Sequence, residues 1–401
     1  MTFFTQKVFH EIDRLTEKYL GLLTDICMIE SKSEDKAGVD QVGAYLAQFA
    51  GSLDYVVKKQ EFEKAGNVYS FTLNPYGRKK MICLSGHMDT VHAKNSFGYP
   101  PVRVDGDYLY GPGVQDCKGG IAVAMLAMEA LKNCGYTERP VRLILQSDEE
   151  VSSVLSQRKS IDFMLQEAAG SAAFLNEEGY TSGHITVGRK GIVKKKIVIK
   201  GKAMHAGACT QGVSAVREAA YKIIELEKDN DGGSITFNCG MVQGGKAINI
   251  VPDQCEVLVE YRFKTLLQQK AAEEKFQRIV NTSYVPGTEA VAEELSSRVP
   301  MERTPGNEAL ADAVNEIAEN YGFEKMEKTE SAGGADAAYT SQAGIPTVDS
   351  IGMEGSGCHT LGERVLIASL PRMAKLAAAI VIHLEDDLGQ TISEETEGDG
   401  I

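Results

Sequence analysis

The chain has 401 residues, which is long enough for two domains with substantial cores of their own. Its 43% hydrophobic and 24% charged residues are typical of a globular protein, and they exclude a wholly disordered, collagen-like or disulfide-scaffold chain. The formal net charge of −14 makes nucleic acid and anionic membrane surfaces poor partners, so we expect neither.

Cysteine usage and the N-terminal segment together predict a compartment. The eight cysteines are scattered singly, without a C-x-x-C pair, which is typical of free thiols in a reducing environment. The first residues lack the basic and apolar regions of a signal peptide, and no apolar run reaches the roughly 18 residues of a membrane span. We therefore expect a cytoplasmic protein.

Predicted helices and buried strands alternate in the first half of the chain. Apolar residues at helical spacing from Phe9 to Leu23 predict an amphipathic helix. The stretch that Gly119 opens and that runs to Leu131 predicts a buried helix. Three short apolar runs, each followed at once by polar or acidic residues, predict buried strands: 81–85, 141–145 and 172–175. This alternation predicts an α/β sheet with a site at the strand ends.

The pattern changes near residue 189. Strands are predicted from there over 193–199, 234–242 and 256–263, and helices over 214–226 and 266–280. These elements predict a smaller α+β unit. The earlier pattern then returns, with helices at 308–321 and 370–384 and a strand at 346–351.

Residues capable of chemistry stand where predicted strands or loops end. Three of the seven histidines lie in glycine-flanked polar segments: His87 in SGHMDT, His205 in GKAMHAG and His359 in GSGCHT. The acids in comparable positions are Asp116, Glu149, Glu150 and Glu178. Because strand ends of an α/β sheet share one edge, these groups can converge on Zn²⁺, Mn²⁺ or Co²⁺, with a neighbouring glutamate moving protons. The other histidines are interpreted as structural: His10, His92, His184 and His383.

The order of these segments resembles the M20 metallopeptidase family, which includes glutamate carboxypeptidase, aminoacylase and the acetylornithine and succinyl-diaminopimelate deacylases. The segments that carry the resemblance are SGHMDTV (85–91), YGPGVQDCKGG (110–120), SDEEVSS (147–153), NEEGY (176–180), KGKAMHAG (200–207), NIVPD (249–253), YRF (261–263), GGADAAY (333–339) and GCHT (357–360). They extend over essentially the whole chain. GGADAAY and the HAGA segment after Met204 are most similar to the glutamate carboxypeptidase branch.

This resemblance implies a site for two divalent metal ions, with Zn²⁺ as the first choice and Co²⁺ or Mn²⁺ as alternatives. The ligands carried over from the family are His87 and Glu178 for one ion, Glu150 and His359 for the other, and Asp116 as the bridge. Glu177 competes with Glu178 for the third acidic position, and we prefer Glu178 because it immediately precedes the turn.

The resemblance also implies catalytic and substrate-binding roles. Glu149 would be the general base and later the general acid. Asp89 would hydrogen-bond the far nitrogen of the His87 ring, and His205 would polarise the scissile carbonyl, often from a partner subunit. The residues implied in substrate binding are Arg262, which suits a terminal carboxylate, with Asn249 and Gly334.

Two cysteines flank proposed ligands. Cys117 follows Asp116, where the family often has a cis peptide, and Cys358 precedes His359. Both are interpreted as small buried thiols behind the site rather than as metal ligands.

The implied fold is α/β and discontinuous. Residues 1–188 and 302–401 would form a di-metal catalytic domain whose mixed, mostly parallel sheet is sandwiched by helices. Residues 189–301 would form an inserted α+β dimerisation or lid domain, which predicts a homodimer.

The predicted function is a di-zinc hydrolase that cleaves an amide bond next to a free carboxylate in a small peptide, as a carboxypeptidase or dipeptidase. The alternative is an N-acyl amino acid deacylase, which uses the same chemistry with a different pocket. A noncatalytic family member is disfavoured because every proposed ligand and Glu149 are present. A serine or cysteine hydrolase is also disfavoured, since the sequence has no G-x-S-x-G elbow or Cys-His signature.

Overall fold

The computed structural model describes residues 2–230 and 234–388, and the rest of the predicted domains lies outside these ranges. The strands, numbered in chain order, are β1 (Val56–Gln60), β2 (Val68–Leu73), β3 (Ile82–His87), β4 (Arg103–Asp105), β5 (Tyr108–Tyr110), β6 (Val141–Gln146), β7 (Ala173–Asn176), β8 (His184–Arg189), β9 (Gly191–Lys200), β10 (Thr236–Gly244), β11 (Gln254–Phe263), β12 (Glu289–Arg298), β13 (Glu327–Ser331), β14 (Thr347–Asp349), β15 (Gly355–Ser356) and β16 (Arg364–Leu366). The helices are α1 (Phe3–Met28), α2 (Lys36–Ser52), α3 (Gly119–Cys134), α4 (Lys159–Ala168), α5 (Ala215–Glu227), α6 (Leu266–Asn281), α7 (Pro305–Asn320), α8 (Ala337–Gln342) and α9 (Ser369–His383).

The largest sheet has eight strands in the order β1-β2-β6-β3-β7-β14-β8-β13. Its central strands β6, β3, β7 and β14 are parallel to their neighbours in this run. Every residue of β3 and β7 is buried, as expected for strands covered on both faces. Antiparallel pairs join β1 to β2, β2 to β6 and β14 to β8, and β13 completes the sheet as a parallel neighbour of β8. The prediction of a mixed, mostly parallel sheet flanked by helices is confirmed.

Helices cover both faces of this sheet. On one face α1, α3 and α9 pack together, and the apolar stretch from Ile121 to Leu131 of α3 is entirely buried between them and the sheet. On the other face α4 and α8 pack over the sheet. The start of α3 touches the end of β7, because a Cβ atom at Gly120 would lie 1.8 Å from the carbonyl oxygen of Glu177. A glycine is required at this close approach, and it brings the turn before α3 against the strand ends.

A second, antiparallel sheet has the order β10-β11-β9-β12. Alternate residues of β9 and β11 point into a separate core with α5 and α6, around Ile197, Tyr261 and Phe276. We call β9 to β12 with α5 and α6 the four-stranded unit. The predicted smaller α+β unit is therefore present, and it includes β12, which the sequence pattern did not reveal.

A small antiparallel sheet, β15-β16-β5-β4, connects distant parts of the chain. The pairing of β5 with β16 brings residues 111–118, which follow β5, beside residues 357–363, which precede β16. Among the helices in the described ranges, none is long and apolar enough to cross a bilayer. All eight cysteines carry free thiols.

Candidate metal centre

Three neighbouring strands deliver acidic and imidazole side chains to one edge of the large sheet. His87 is the last residue of β3, Glu149 and Glu150 follow β6, and Glu178 follows β7. Because β6, β3 and β7 are adjacent and parallel, their carboxyl ends meet at the same edge.

Asp116 lies in the turn before α3 and contacts this edge with both of its carboxylate oxygens. Its Oδ1 is 2.9 Å from Nε2 of His87, and its Oδ2 is 3.0 Å from Nε2 of His359. Glu178 lies on the first side, with Oε1 3.7 Å from the same His87 nitrogen. Glu150 lies on the other side, with Oε2 3.2 Å from the His359 nitrogen. The Asp116 carboxylate thus faces two pairs of potential metal ligands, His87 with Glu178 and His359 with Glu150. All five predicted ligands are brought together.

The chemistry of this donor set fits divalent cations. Imidazole nitrogens and carboxylate oxygens are ligands for Zn²⁺, Co²⁺ and Mn²⁺. One ligand atom each from His87, Asp116 and Glu150 lie within 4.8 Å of one another. With Glu149 and Glu178 this small, largely buried space contains four carboxylates, whose mutual repulsion a bound cation would relieve.

Burial and neighbouring charges shift the titration of the cluster. Burial raises the pKa of Glu150 to about 7, and burial together with the Asp116 charge raises the pKa of Glu178. Burial would also raise the pKa of Asp116, but hydrogen bonds from His359 and His87 outweigh it, and that pKa lies below its usual value. Hydrogen bonds to Asp116 and Glu150 raise the pKa of His359 to about 10. The carboxylates therefore attract positive charge to this edge.

Asp89 supports the cluster through both its backbone and its side chain. Nδ1 of His87 lies 3.0 Å from the carbonyl oxygen of Asp89 and 3.4 Å from its Oδ1. The Asp89 carboxylate also accepts the backbone N–H groups of Glu149 and Glu150, at 3.2 and 3.1 Å, and the hydroxyl of Ser33. The backbone carbonyl is thus the nearer partner of the imidazole, while the carboxylate holds the acid pair, a link that the sequence did not reveal.

Glu149 is paired with a buried arginine that the sequence reasoning missed. Nη1 of Arg298 lies 2.5 Å from Oε1 of Glu149, and Nη2 donates to the Glu149 carbonyl oxygen. The same Nη2 lies 3.4 Å from Oδ1 of Asp336, whose pKa burial raises to about 8. Arg298 is the last residue of β12, so the four-stranded unit reaches into the site. Its segment, SSRVP, contains no motif that distinguishes this arginine.

The loop 332–336 connects two predicted substrate-binding residues to this arginine. A Cβ atom at Gly334 would lie 2.9 Å from Cδ of Arg298, so the glycine lets the loop pack against the guanidinium stem. Nη1 of Arg262 donates to the carbonyl oxygen of Ala332 at 2.6 Å, and its Nε donates to Glu260 at 2.7 Å. Arg262 and Gly334 therefore meet at the same loop, which packs against Arg298.

His205 and Asn249 lie together on the four-stranded unit, and both are exposed. The backbone N–H of Gly207 donates to Nδ1 of His205 at 3.1 Å, and the N–H of Ala206 donates to the carbonyl oxygen of Asn249 at 2.9 Å. Within the described ranges, neither residue forms a hydrogen bond or ion pair with the acidic cluster. A single chain does not bring these two predicted residues into the cluster.

Glu177 and Glu178 point in different directions. Glu178 faces His87, whereas Glu177 is fully buried, with neither carboxylate oxygen hydrogen-bonded to any described residue. Burial and the nearby Asp349 raise the pKa of Glu177. The geometry therefore favours Glu178 as the acid of the cluster.

The two flanking cysteines differ in exposure. Cys117 is buried, the backbone N–H of His87 donates to its Sγ at 3.0 Å, and the peptide bond before it is cis, as the resemblance implied. Cys358 is exposed, so the prediction of a buried thiol was wrong for this residue. It belongs to the open loop 357–363, where its Sγ donates to Oε1 of Gln115 at 2.9 Å.

A polar cleft of about 420 Å³ opens beside Asp116 and Glu178. Arg189 lies in its wall, and Asp349 holds the guanidinium through contacts of 2.7 and 2.9 Å. Hydroxyl groups line much of the remainder: Thr181, Thr186, Thr329, Ser331 and Ser350. The cleft offers hydrogen bonds to a polar group placed next to the candidate metal ligands.

Comparison with known proteins agrees with this architecture. The chain is 28% identical to carboxypeptidase G2 of Pseudomonas sp. (strain RS-16) over 372 residues, which cover 90% of this chain and 88% of that protein. It is 24% identical to succinyl-diaminopimelate desuccinylase of Wolinella succinogenes over 315 residues, covering 75% and 84%. The fold matches that of an M20 family metallo-carboxypeptidase from Sulfolobus solfataricus with a TM-score of 0.76 and 18% identity, covering 90% and 98%. Residues 83–383 match the model of peptidase family M20/M25/M40, and because this match spans well over half of the chain, the protein belongs to that family of hydrolases.

Proposed function

We propose that this protein is a two-metal hydrolase that cleaves an amide bond next to a free carboxylate, as a carboxypeptidase or dipeptidase. The observation that carries the proposal is the position of Asp116, whose two oxygens face His87 and His359 separately. This is the arrangement required of a carboxylate that bridges two cations.

The proposed ligands divide into two sets around this bridge. His87 and Glu178 would hold one ion, and His359 and Glu150 the other. Zn²⁺ suits these nitrogen and oxygen donors, as do Co²⁺ and Mn²⁺. Two such cations, when bound, make a water molecule more acidic and polarise an amide carbonyl.

Glu149 is the proposed proton carrier. It lies next to Glu150 in sequence, and the ion pair with Arg298 fixes one of its oxygens. In this role Glu149 accepts the proton of the attacking water and delivers it to the nitrogen of the leaving amine. The arginine at the end of β12 holds the carboxylate in one orientation for both transfers.

Substrate recognition is assigned to residues of the four-stranded unit and of the loop 332–336. Arg262 offers a planar guanidinium beside the loop 332–336, which suits the terminal carboxylate of a small peptide. Gly334 lets the same loop pack closely against Arg298, and Asn249 and His205 would approach the substrate from the four-stranded unit. His205 would then stabilise negative charge on the carbonyl oxygen.

A homodimer is part of this proposal. Residues 189–301 are the proposed lid and dimerisation domain, and β10 is an edge strand of its sheet. Large apolar side chains on and after this strand are exposed, namely Met241, Val242 and Ile248. An exposed apolar edge is suited to pairing with a second copy, which could supply His205 from the partner subunit. The free thiols of all eight cysteines support a reducing compartment, such as the cytoplasm.

The second candidate is an N-acyl amino acid deacylase. The relative from Wolinella succinogenes is named succinyl-diaminopimelate desuccinylase, a name that refers to removal of a succinyl group. The proposed metal ligands and Glu149 would serve this reaction unchanged, since it too hydrolyses an amide. The difference lies in the pocket that holds the acyl group.

Hydrolysis of a matched panel separates the two candidates. The metal-free protein is reconstituted with Zn²⁺, Co²⁺ or Mn²⁺ and given dipeptides ending in Glu, Ala or Leu, together with the N-acetyl forms of the same amino acids. Faster cleavage of the dipeptides supports the peptidase and reveals its side-chain preference. Faster cleavage of the N-acetyl compounds supports the deacylase, and no cleavage of any member contradicts both.

A further inference from the structure

A buried carboxylate outside the proposed ligand set contacts the loop that carries Asp116. Glu363 precedes β16, and its side chain is 1% exposed. Its Oε1 accepts the backbone N–H groups of Gln115 and Asp116, at 2.9 and 3.0 Å. Its Oε2 accepts the N–H of Gly113 at 3.1 Å and lies 2.7 Å from Nε2 of His92. Four donors thus converge on one carboxylate.

These contacts determine which way the Asp116 side chain points. Three backbone N–H groups of residues 113–116 are turned towards Glu363, away from the open side of the turn. The Asp116 side chain is then free to direct both oxygens at His87 and His359. A neutral amide in place of the Glu363 carboxylate would present its own N–H groups to at least one of these donors and leave it unpaired.

Glu363 also belongs to the loop that carries His359. The two residues lie four positions apart in the segment 357–363, and the N–H of Gly111 donates to the Glu363 carbonyl oxygen at 3.3 Å. The His359 side chain is 55% exposed, whereas that of His87 is 2% exposed. The surrounding core therefore does little to fix His359, and the link through Glu363 acts together with the β5–β16 pairing and the Cys358–Gln115 hydrogen bond to hold its loop beside Asp116.

His92 extends this link to the segment that follows β3. It lies five residues after His87, its ring is buried, and it packs edge-on against Phe97 with ring centres 4.8 Å apart. Through its Nε2 contact with Glu363, the segments that carry His87, Asp116 and His359 share one anchoring point.

We propose that Glu363 and His92 are positioning residues that set the geometry of Asp116 and His359, and thereby the affinity of the site for the second of two divalent cations, the one on the His359 side. This inference rests on the proposed two-metal function. Removal of comparable outer partners of metal ligands weakens metal binding by about 10- to 100-fold. The effect should concentrate on the second equivalent because His87 and Glu178 are held by the buried sheet edge.

The test is a titration of the metal-free full-length protein with Co²⁺, followed by visible absorption and by calorimetry. We expect Glu363→Gln to bind the first equivalent within about threefold of the wild-type affinity and the second about 10- to 100-fold more weakly, with altered Co²⁺ absorption bands. His92→Leu removes one of the four donors without adding a polar group, so it should produce a smaller loss on the same equivalent. Glu167→Gln is the matched control. Glu167 is also buried and accepts hydrogen bonds from Ser70 and Lys58, but it lies on α4 and contacts none of the proposed metal ligands through these bonds.

Each outcome bears on a distinct claim. If Glu363→Gln and His92→Leu both bind two equivalents with wild-type affinity and spectrum, the positioning role is overturned while the proposed function stands. If Glu363→Gln does not fold, His92→Leu decides alone by the same criterion. If Glu167→Gln weakens the second equivalent equally, the effect reflects general destabilisation and the inference fails. A wild-type protein that binds fewer than two Co²⁺ ions contradicts the two-metal function itself.

Discussion

The carboxyl edge of the large sheet and the exposed loops of the four-stranded unit hold their predicted site residues in opposite ways. At the sheet edge His87 is 2% exposed, and Asp116 contacts two histidines within 3.0 Å. On the four-stranded unit His205 and Asn249 are exposed, and the polar contacts that the structure gives them lie within neighbouring loops. The first region is preorganised within one chain, whereas in the second the described residues offer these two side chains no hydrogen bond or ion pair with the acidic cluster.

The difference has an energetic basis. Buried charges are tolerated only when other groups satisfy them, so the acids at the sheet edge are tied to histidines, backbone N–H groups and Arg298. An exposed imidazole has no such requirement, because water satisfies it. Substitutions at the edge should therefore affect metal binding as well as turnover, whereas substitutions of the exposed His205 or Asn249 should affect turnover or substrate binding and leave the metal content unchanged.

The largest expected effect distinguishes the roles of Glu149 and Glu150, two adjacent acids at the sheet edge. Glu149→Ala should lower kcat by roughly 10³-fold, because the proton carrier is lost. Metal content, measured by elemental analysis, should stay at the wild-type value since Glu149 is not a proposed ligand. Glu150→Ala is the control and should lose metal. If Glu149→Ala is the variant that loses metal, the two roles have been exchanged.

The next effect concerns the exposed region. His205→Ala should lower kcat by about 10²-fold, since one group that stabilises charge on the carbonyl oxygen is removed. The metal content and the midpoint of thermal unfolding should not change, because the ring is exposed and pairs only with the N–H of Gly207 in the described ranges. His10→Ala, at an exposed position on α1, serves as the control. Undiminished turnover in His205→Ala would remove it from the reaction.

A smaller effect is expected at the border between the two regions. Arg262→Ala should raise KM about 10- to 100-fold for substrates with a free carboxylate, because a charge-assisted hydrogen bond contributes about 1.5–3 kcal/mol. Amides of the same compounds should be affected much less. Arg217→Ala, on α5 of the same unit, should leave both substrate classes unchanged. Equal losses on acids and amides would contradict carboxylate recognition.

Sequence patterns predicted the sheet edge well because its residues are determined by local chain features. An apolar run that stops at a polar group places His87, Glu150 and Glu178 at strand ends, and parallel strands carry such ends to one edge. The ligand assignments and the family came from ordered motifs, since no periodicity distinguishes a ligand from a solvated acid.

Contacts between distant segments were not predictable in the same way. Arg298 reaches Glu149 across 149 residues of sequence, and Glu363 reaches Gln115 across 248. Strand β12 was missed because it is an edge strand, largely exposed and rich in acidic residues, so it lacks the apolar alternation of a buried strand. His92 was interpreted as structural, and its one link to the site becomes visible only in three dimensions.

The smallest expected effect tests whether Cys117, a buried thiol beside the sheet edge, belongs to the set of metal ligands. Sγ of Cys117 lies close to ligand atoms of His87 and Glu178, which makes it a conceivable ligand. The thiol already accepts the backbone N–H of His87, however, and burial raises its pKa, so the neutral thiol is its form in the absence of a bound cation. Cys117→Ala should therefore keep both metal ions and turnover within about threefold, and lose about 1 kcal/mol of unfolding free energy. Cys83→Ala, which removes the buried thiol of β3, should lose a similar unfolding free energy. Loss of a metal ion only in Cys117→Ala would make the thiol a ligand and extend the preorganised region behind the carboxylates.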